Sequence, residues 1–316
     1  MEQMRWGVIG ASARIYQGRL KPAFALADGH EIVAEASRST AGGASSEAPY
    51  AELVRRADID AVYIPLPNAG HKPWILRALE AGKHVLCEKP LTLSPADTDE
   101  VFAAATAAGR TVMEAYMWPH HPRARRILTM VTDGELGELR ALRSVFTYPS
   151  SNPNDHRFDE RGAGALFDVG IYCLGPAMMI AGREPVGCAA AATRNAVGVD
   201  VAMTGFVDWG DGFASSFEVG MDAPHRRILE VSGTTGALTV PGQHAPGPEE
   251  PSDIVVQRRD DSVETTRVDG ANAFAEMIKQ FGAVVAELEH PVFGPTESKR
   301  LAHVIDALHR ASPAAG

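Results

Sequence analysis

Long apolar runs, a cationic excess and paired cysteines are all missing from this chain of 316 residues. No apolar stretch approaches the roughly 20 residues that cross a bilayer, so a membrane partner is not expected. The opening Met1-Glu2-Gln3-Met4-Arg5 lacks the apolar core of a secretory signal, and a cytoplasmic location is the expectation. Lys and Arg number 30 against 40 Asp and Glu, a formal net charge of −10. That balance argues against a nucleic-acid partner, which needs a cationic footprint to displace counterions. It leaves room for a local basic site holding one small phosphate. The cysteines number 3 and show no paired spacing, so they read as buried reduced thiols. Consecutive histidines such as His120-His121 rarely share one ion, and no spaced Cys/His/carboxylate set accompanies them, so no metal is expected. What is present is ordinary for a globular protein: 45% hydrophobic and 22% charged residues. The length suggests two domains.

The first part of the chain alternates short apolar runs with helical patterns. The runs are Trp6–Ile9, Glu31–Ala36, Ala61–Ile64, His84–Cys87 and Thr111–Ala115. Helical stretches such as Lys72–Ala81 and Pro95–Ala108 lie between them. Short apolar runs separated by helices signal βαβ units and a parallel sheet buried on both faces. Beyond the Trp118–Pro122 region the pattern changes. Ala141–Tyr148, Asp200–Trp209, Gly212–Val219, Arg227–Ser232 and Ile254–Arg258 read as strands, with glycine-rich turns between several of them. This is an α/β plus α+β reading. A Rossmann domain with a parallel sheet spans 1–119. A substrate-binding and oligomerisation domain spans 120–316, with a large, mostly antiparallel, open-faced sheet covered by helices on one side. Helical segments near Asn272–Leu288 and Thr296–Ala311 close the chain, the last of them a candidate to pack back on the first domain. Exposed sheet faces are commonly buried by two-fold pairing, so a homodimer or homotetramer is expected, with Phe213, Phe217 and Met221 as candidate contributors.

After the first apolar run comes Gly10-Ala11-Ser12-Ala13-Arg14-Ile15. In a dinucleotide fold a glycine at this turn lets the backbone approach a pyrophosphate, and the following helix N-terminus supplies N–H donors. The full G-x-G-x-x-G pattern is not met, because Ser12 and Ile15 occupy glycine positions. A plain strand-to-helix turn therefore remains an alternative, although the Ser12 hydroxyl can still donate to phosphate. The end of the second run says more. Ser37-Arg38-Ser39 stands where a carboxylate would hold a ribose 2′-hydroxyl, whereas an arginine there suits a 2′-phosphate. NADP(H) is accordingly favoured over NAD(H), with a solvated surface arginine as the plainer alternative.

The third run leads into Pro65-Leu66-Pro67-Asn68 and His71, and the fourth into Glu88-Lys89-Pro90. Carboxyl ends of strands in an open parallel sheet are where ligands bind. An ammonium just past a buried strand is costly without a purpose, and adjacent residues on an extended chain point apart, which makes a Glu88–Lys89 pair poor. Lys89 thus reads as functional. Farther on, Asp168 and Tyr172 stand four residues apart and share one face if that segment is helical. Asp168 would sit near the helix start, where the macrodipole favours a carboxylate.

Several separated segments carry a resemblance: "IPLPNAGH", "AGKHVLCEKPLT", "EAYMWPHHPR", "GAGALFDVGIYCL", "LEVSGTTGAL" and "VIDALHRAS". Together they resemble the Gfo/Idh/MocA oxidoreductases over essentially the whole chain, in the subgroup of glucose–fructose oxidoreductase, dihydrodiol and xylose dehydrogenases and deoxysugar 3-ketoreductases. The departures are the degenerate glycine loop and Gly162-Ala163-Gly164 in place of a triple glycine. The resemblance implies that Lys89 is the catalytic lysine and that Asp168 and Tyr172 form the family's D-x-x-x-H/Y pair. It implies hydride transfer between a nicotinamide and a carbinol or carbonyl carbon of a sugar, ketosugar or vicinal diol. The expected cofactor set is Gly10, Ser12, Ala13, Arg14, Ile15, Ser37, Arg38, Ser39, Pro65, Leu66, Asn68, His71, Glu88, Lys89 and Trp118. Substrate contacts are expected from Lys89, His120, His121, Arg123, His156, Arg157, Asp168 and Tyr172. A non-catalytic dinucleotide or sugar sensor, and a redox-neutral lyase or hydrolase with tightly bound nicotinamide, are the alternatives on the same fold.

Overall fold

The computed structural model describes residues 3–38, 46–150, 152, 155–159, 161–241, 247 and 250–312. Ser39 of the expected cofactor set lies outside the described residues. The chain divides into two compact units, Met1–Met117 with Ala273–Lys299, and Trp118–Asn272 with Arg300–Gly316.

The first unit is built on five parallel strands, β1 (Met4–Ile9), β2 (His30–Ala36), β3 (Ala61–Ile64), β4 (His84–Glu88) and β5 (Val112–Ala115), in the order β2-β1-β3-β4-β5. All residues of β3 and β5 are buried, which is why those strands read as unbroken apolar runs rather than alternating ones. Helices α1 (Lys21–Phe24), α2 (Ala48–Val54), α3 (His71–Glu80) and α4 (Pro95–Ala108) connect them. The limits of α4 are chemical: Ser94 accepts the Asp97 N–H at its start, and Gly109, at φ 59°, ends it in the left-handed region. Ile9, Ile64, Trp74, Ile75, Val85 and Val101 belong to one buried cluster of the strands, α3 and α4.

Helix α7 (Ala273–Val285) belongs to this unit although it is distant in sequence. The Trp6 ring meets Phe281 at 4.9 Å, and the Trp6 indole donates to His30 Nδ1 at 3.0 Å. At Gly282 a Cβ would lie 2.6 Å from the His30 ring, so the close approach needs glycine. Before α1 the chain makes a π-helical turn, Tyr16–Leu20.

The second unit carries eight strands: β6 (Leu139–Pro149), β7 (Gly187–Arg194), β8 (Asp200–Asp208), β9 (Ala214–Gly220), β10 (Asp222–Gly233), β11 (Gly236–Val240), β12 (Ser252–Arg258) and β13 (Val263–Val268). Their order is β13-β12-β11-β10-β6-β9-β8-β7. Among the described residues of this sheet only the β6–β9 pair is parallel. Helices α5 (Pro122–Thr132) and α6 (Ile171–Ala181) complete the unit, and α8 (Pro295–Ala311) begins in the first unit and ends in the second. Phe213, Phe217 and Met221 are buried rather than on the open face. Large apolar side chains are driven to the covered side, and α6 packs on β6 and β9. The alternate positions of β9, Ser216 and Glu218, are more open, and Phe206 on β8 is 47% exposed.

Candidate active site

In the first unit the expected residues gather at the carboxyl ends of the parallel strands. Gly10 follows β1 with φ 94°, and a Cβ there would lie 2.8 Å from Leu66 Cδ2. The turn is tied to β2 by the Gly10 and Ala11 N–H groups, which both donate to Ala36 O at 2.9 Å. Ser12 and Arg14 are exposed and Ala13 and Ile15 half-buried, where the turn enters the helical run that begins at Arg14 and contains Tyr16–Leu20. The bare Gly10 Cα, the open Ser12 hydroxyl and the helix start fit a phosphate-bearing dinucleotide. Ser37 and Arg38 at the end of β2 are exposed, and Arg38 engages the Tyr50 hydroxyl through backbone and side chain. Its guanidinium therefore has a partner that limits its swing, as suits a phosphate fork.

Between Val85 and Thr92 every residue is buried except Lys89, which is half-buried. The Lys89–Pro90 bond is cis. Glu88 is turned inward and accepts from the Tyr63 hydroxyl at 2.7 Å. His71 is fully buried, with Nδ1 2.9 Å from Pro90 O and Nε2 2.8 Å from Leu66 O. It ties the two strand-end loops to each other and has no ring nitrogen to spare for a ligand. Its pKa is lowered, first by burial and also by the Lys89 charge. Glu114 on β5 accepts the Leu91 N–H at 3.0 Å, two residues after Lys89. Burial pushes its carboxyl up to about 7, against the pull of Ser298, the Leu91 amide and Lys89. Pro65 is buried, while Leu66 and Asn68 are half-buried in the adjoining loop.

In the second unit, Asp168 and Tyr172 lie on one continuous helical run, a π-helical turn Leu166–Gly170 leading directly into α6. Single π turns inside helices are frequent at functional positions. Every residue from Gly164 to Met178 is buried except Asp168 and Tyr172, which are half-buried. Asp168 Oδ2 accepts from the Tyr148 hydroxyl at 2.7 Å and lies 3.1 Å from Arg157 Nε. Arg157 also meets both oxygens of Asp155, at 3.0 and 2.9 Å. Burial alone would lower the Arg157 pKa, but the Asp168 and Asp155 carboxylates outweigh it and the net shift is upward. Burial, then the Asp168 charge and hydrogen bond, raises the Tyr148 hydroxyl. The Tyr172 ring stands 5.3 Å from Phe146, which in turn is 6.4 Å from Tyr148. Phe146 and Tyr148 share one face of β6 by strand alternation. Neither is legible as a site residue in the sequence, because nothing in chain order links β6 to Asp168.

The remaining expected substrate residues divide. His156 Nδ1 is 3.2 Å from Asp155 Oδ1, beside the Arg157 network. His120, His121 and Arg123 are interior. His121 Nδ1 caps α5 by accepting the Arg123 N–H at 3.0 Å, and burial pushes its pKa down to about 4. Burial likewise pushes His120 down to about 3 and Arg123 down to about 10. Neither ring nitrogen of His120 has a hydrogen-bond partner among the described residues. Trp118 is buried and belongs to the second unit. Among the described residues no His/Cys/Asp/Glu group could hold a metal ion.

Two strand-end loops suited to a dinucleotide, and a polar pair exposed from an otherwise buried helix, define an oxidoreductase of the Rossmann class. A model of the oxidoreductase family with an NAD-binding Rossmann fold matches residues 4–116. A model of the GFO/IDH/MocA C-terminal domain matches residues 124–239. The chain belongs to the GFO/IDH/MocA oxidoreductase family. It is 34% identical to a dTDP-3,4-didehydro-2,6-dideoxy-alpha-D-glucose 3-reductase of Actinomadura kijaniata, over 96% of this chain and 94% of the relative. It is 30% identical to D-xylose 1-dehydrogenase (NADP(+)) 2 of Haloferax volcanii, over 98% and 97% of the two chains. Among solved structures, a 3-ketoreductase from Actinomadura kijaniata in complex with NADP and TDP-benzene matches with a TM-score of 0.89 at 33% identity, covering 98% of each chain.

Proposed function

We propose that this chain is an NADP(H)-dependent oxidoreductase that transfers a hydride between the nicotinamide and a carbinol or carbonyl carbon of a sugar, ketosugar or vicinal diol. The observation that carries the reading is the pair of half-open polar side chains, Asp168 and Tyr172, on a helix buried everywhere else from Gly164 to Met178. Similarity to a ketosugar reductase, to an NADP(+)-dependent xylose dehydrogenase and to an NADP complex supports the substrate class and the cofactor. Arg38, exposed at the end of β2, is the residue for the 2′-phosphate. Gly10, Ser12, Ala13, Arg14 and Ile15 hold the pyrophosphate, and Pro65, Leu66, Asn68 and Lys89 attend the nicotinamide side. We assign dinucleotide binding to the N-terminal domain, 1–119, and substrate binding and self-association to 120–316.

When bound, the nicotinamide supplies or accepts the hydride. Tyr172 gives its hydroxyl proton to the substrate oxygen during carbonyl reduction and takes it back in the oxidative direction, so hydride and proton together complete the carbinol. Lys89 donates a hydrogen bond from its ammonium to the reacting oxygen of the substrate. Asp168, held by Tyr148 and Arg157, accepts a hydrogen bond from a substrate hydroxyl and sets its orientation.

No helix among the described residues is long and apolar enough to cross a membrane. A cytoplasmic location, and a homodimer or homotetramer formed through the open face of the eight-stranded sheet, belong to the same proposal. A monomeric mass at micromolar concentration would count against the assembly.

The test is a binding titration with NADPH and NADH, followed by a turnover screen over aldoses, ketosugars and aromatic dihydrodiols. Tyr172→Phe and Lys89→Ala should each lower kcat by about 10²-fold or more, while NADPH affinity changes by less than about threefold. Wild-type turnover in Tyr172→Phe would remove the tyrosine from proton transfer. Net NADPH consumption with a ketosugar separates this reading from a sensor or a redox-neutral enzyme.

A further inference from the structure

Asp200 is the first residue of β8 and is only 1% exposed. An interior carboxylate is costly unless it answers a specific donor. Here the donor is a backbone amide: Asp200 Oδ2 accepts the Leu166 N–H at 2.8 Å. Leu166 opens the π-helical turn that carries Asp168, and the first N–H groups of a helical run have no partner within the run. A carboxylate supplied from another element satisfies such an amide and also favours the positive end of the helix dipole. The second oxygen, Oδ1, has no hydrogen-bond partner among the described residues. It lies against Gly164, where a Cβ would come within 2.5 Å of Oδ1 and 2.6 Å of the Asp200 carbonyl oxygen. Gly164 is left-handed at φ 91°, preceded by Ala163 at φ 59°. Two successive left-handed residues reverse the chain directly onto Asp200. Glycine at 164 is therefore required twice, by its φ and by the carboxylate beside it.

We propose that Asp200 is a positioning residue for the reacting pair, fixing from β8 the start of the helical run that presents Asp168 and Tyr172. It acts on both side chains through the Leu166 amide. The inference rests on the proposed roles of Asp168 and Tyr172. It also accounts for the sequence feature that follows the polar loop, the glycine at 164, as a fit to a carboxylate 36 residues later in the chain.

The experiment compares Asp200→Ala, which deletes the acceptor, with Asp200→Asn, which keeps an amide oxygen in its place, both in the full chain. Amide hydrogen exchange of the free protein is read over residues 166–170, and kcat and KM are read with NADP(+) and D-xylose. Asp200→Ala should speed exchange at these amides by about tenfold or more and lower kcat by about tenfold, with the KM for NADP(+) within about twofold. Asp200→Asn should stay within about threefold of the wild type on both readouts. If Asp200→Ala does not fold, Asp200→Ser replaces it, a polar side chain too short to reach the Leu166 N–H, and the same changes are expected. Unchanged exchange in a folded variant overturns the anchoring. Faster exchange with wild-type kcat overturns the positioning role and leaves a purely structural one. The exchange measurement judges the anchoring whether or not D-xylose is turned over. Normal turnover in Tyr172→Phe would instead strike the assignment of the reaction, so the two failures are distinguishable.

Discussion

Lys89 in the first unit and Asp168 in the second are both half-open residues in otherwise buried surroundings, and the neighbours described around them engage different parts of the chain. Around Lys89 the supports grip main chain: His71 sits between Pro90 O and Leu66 O, and Glu114 takes the Leu91 N–H. Around Asp168 the supports grip the carboxylate itself, through the Tyr148 hydroxyl and the Arg157 guanidinium. The first arrangement fixes a loop and, through it, the place from which the lysine extends. The second fixes the functional group directly. A backbone clamp that fails leaves buried polar groups unsatisfied and costs stability. A side-chain clamp that fails leaves the fold intact and lets the working group wander.

That contrast sets the order of the expected effects. His71→Ala should have the largest, because it removes a buried ring seated between two carbonyl oxygens, leaves the one that its single N–H bonds without a donor, and opens a void. Urea denaturation should show a loss of between about 2 and 4 kcal/mol, and a loss below about 0.5 kcal/mol would mean that the imidazole is not the clamp. Glu114→Gln comes next and is a pH effect. The folded-state carboxyl sits at about 7, above its ordinary value of 4.5. Its protonated form is therefore favoured by folding, and that contribution is complete at low pH and is lost as pH rises through about 7. The full swing is at most about 3 kcal/mol. The variant's carboxamide would keep an oxygen for the Leu91 amide and carry no proton to lose, so stability between about pH 4.5 and 7 should flatten relative to wild type. An identical pH profile would show that Glu114 titrates normally. Tyr148→Phe should have the smallest effect on the fold and a measurable one on turnover. It removes one hydrogen bond to Asp168, worth about 1 kcal/mol, so kcat/KM should fall about fivefold while the Tm moves by no more than a few degrees. A larger drop in Tm than in turnover would erase the contrast between the two regions.

The architecture is readable in the sequence where local chemistry and burial agree. β3, fully buried, has the limits that its apolar run suggests, and α4 is bounded by Ser94 and Gly109. The edge strands β7 and β13 are not legible there, for a physical reason. The sequence of β7, Gly-Cys-Ala-Ala-Ala-Ala-Thr-Arg, has side chains too alike in size and polarity to show alternation, and β13 is polar and mostly exposed. Edge strands bury little, so selection for an apolar face is weak there. Phe213 and Phe217 show a related gap. Alternation identifies two faces of a strand, but which face meets a helix depends on α6, which comes from another part of the chain.

The candidate site divides along the same line. The sequence by itself determined the chemical inventory: a lysine past a buried strand, a carboxylate and a phenol four residues apart, an arginine just past β2, and a net charge of −10. These depend on spacing along one element and on composition, which the order of residues records directly. Only tertiary structure decided which groups support them. His71 clamps two loops, Tyr148 and Arg157 hold Asp168, and Asp200 receives the Leu166 amide. Each of those contacts joins residues whose separation in sequence carries no periodicity, and only the packing of strands and helices brings their polar atoms within hydrogen-bonding distance.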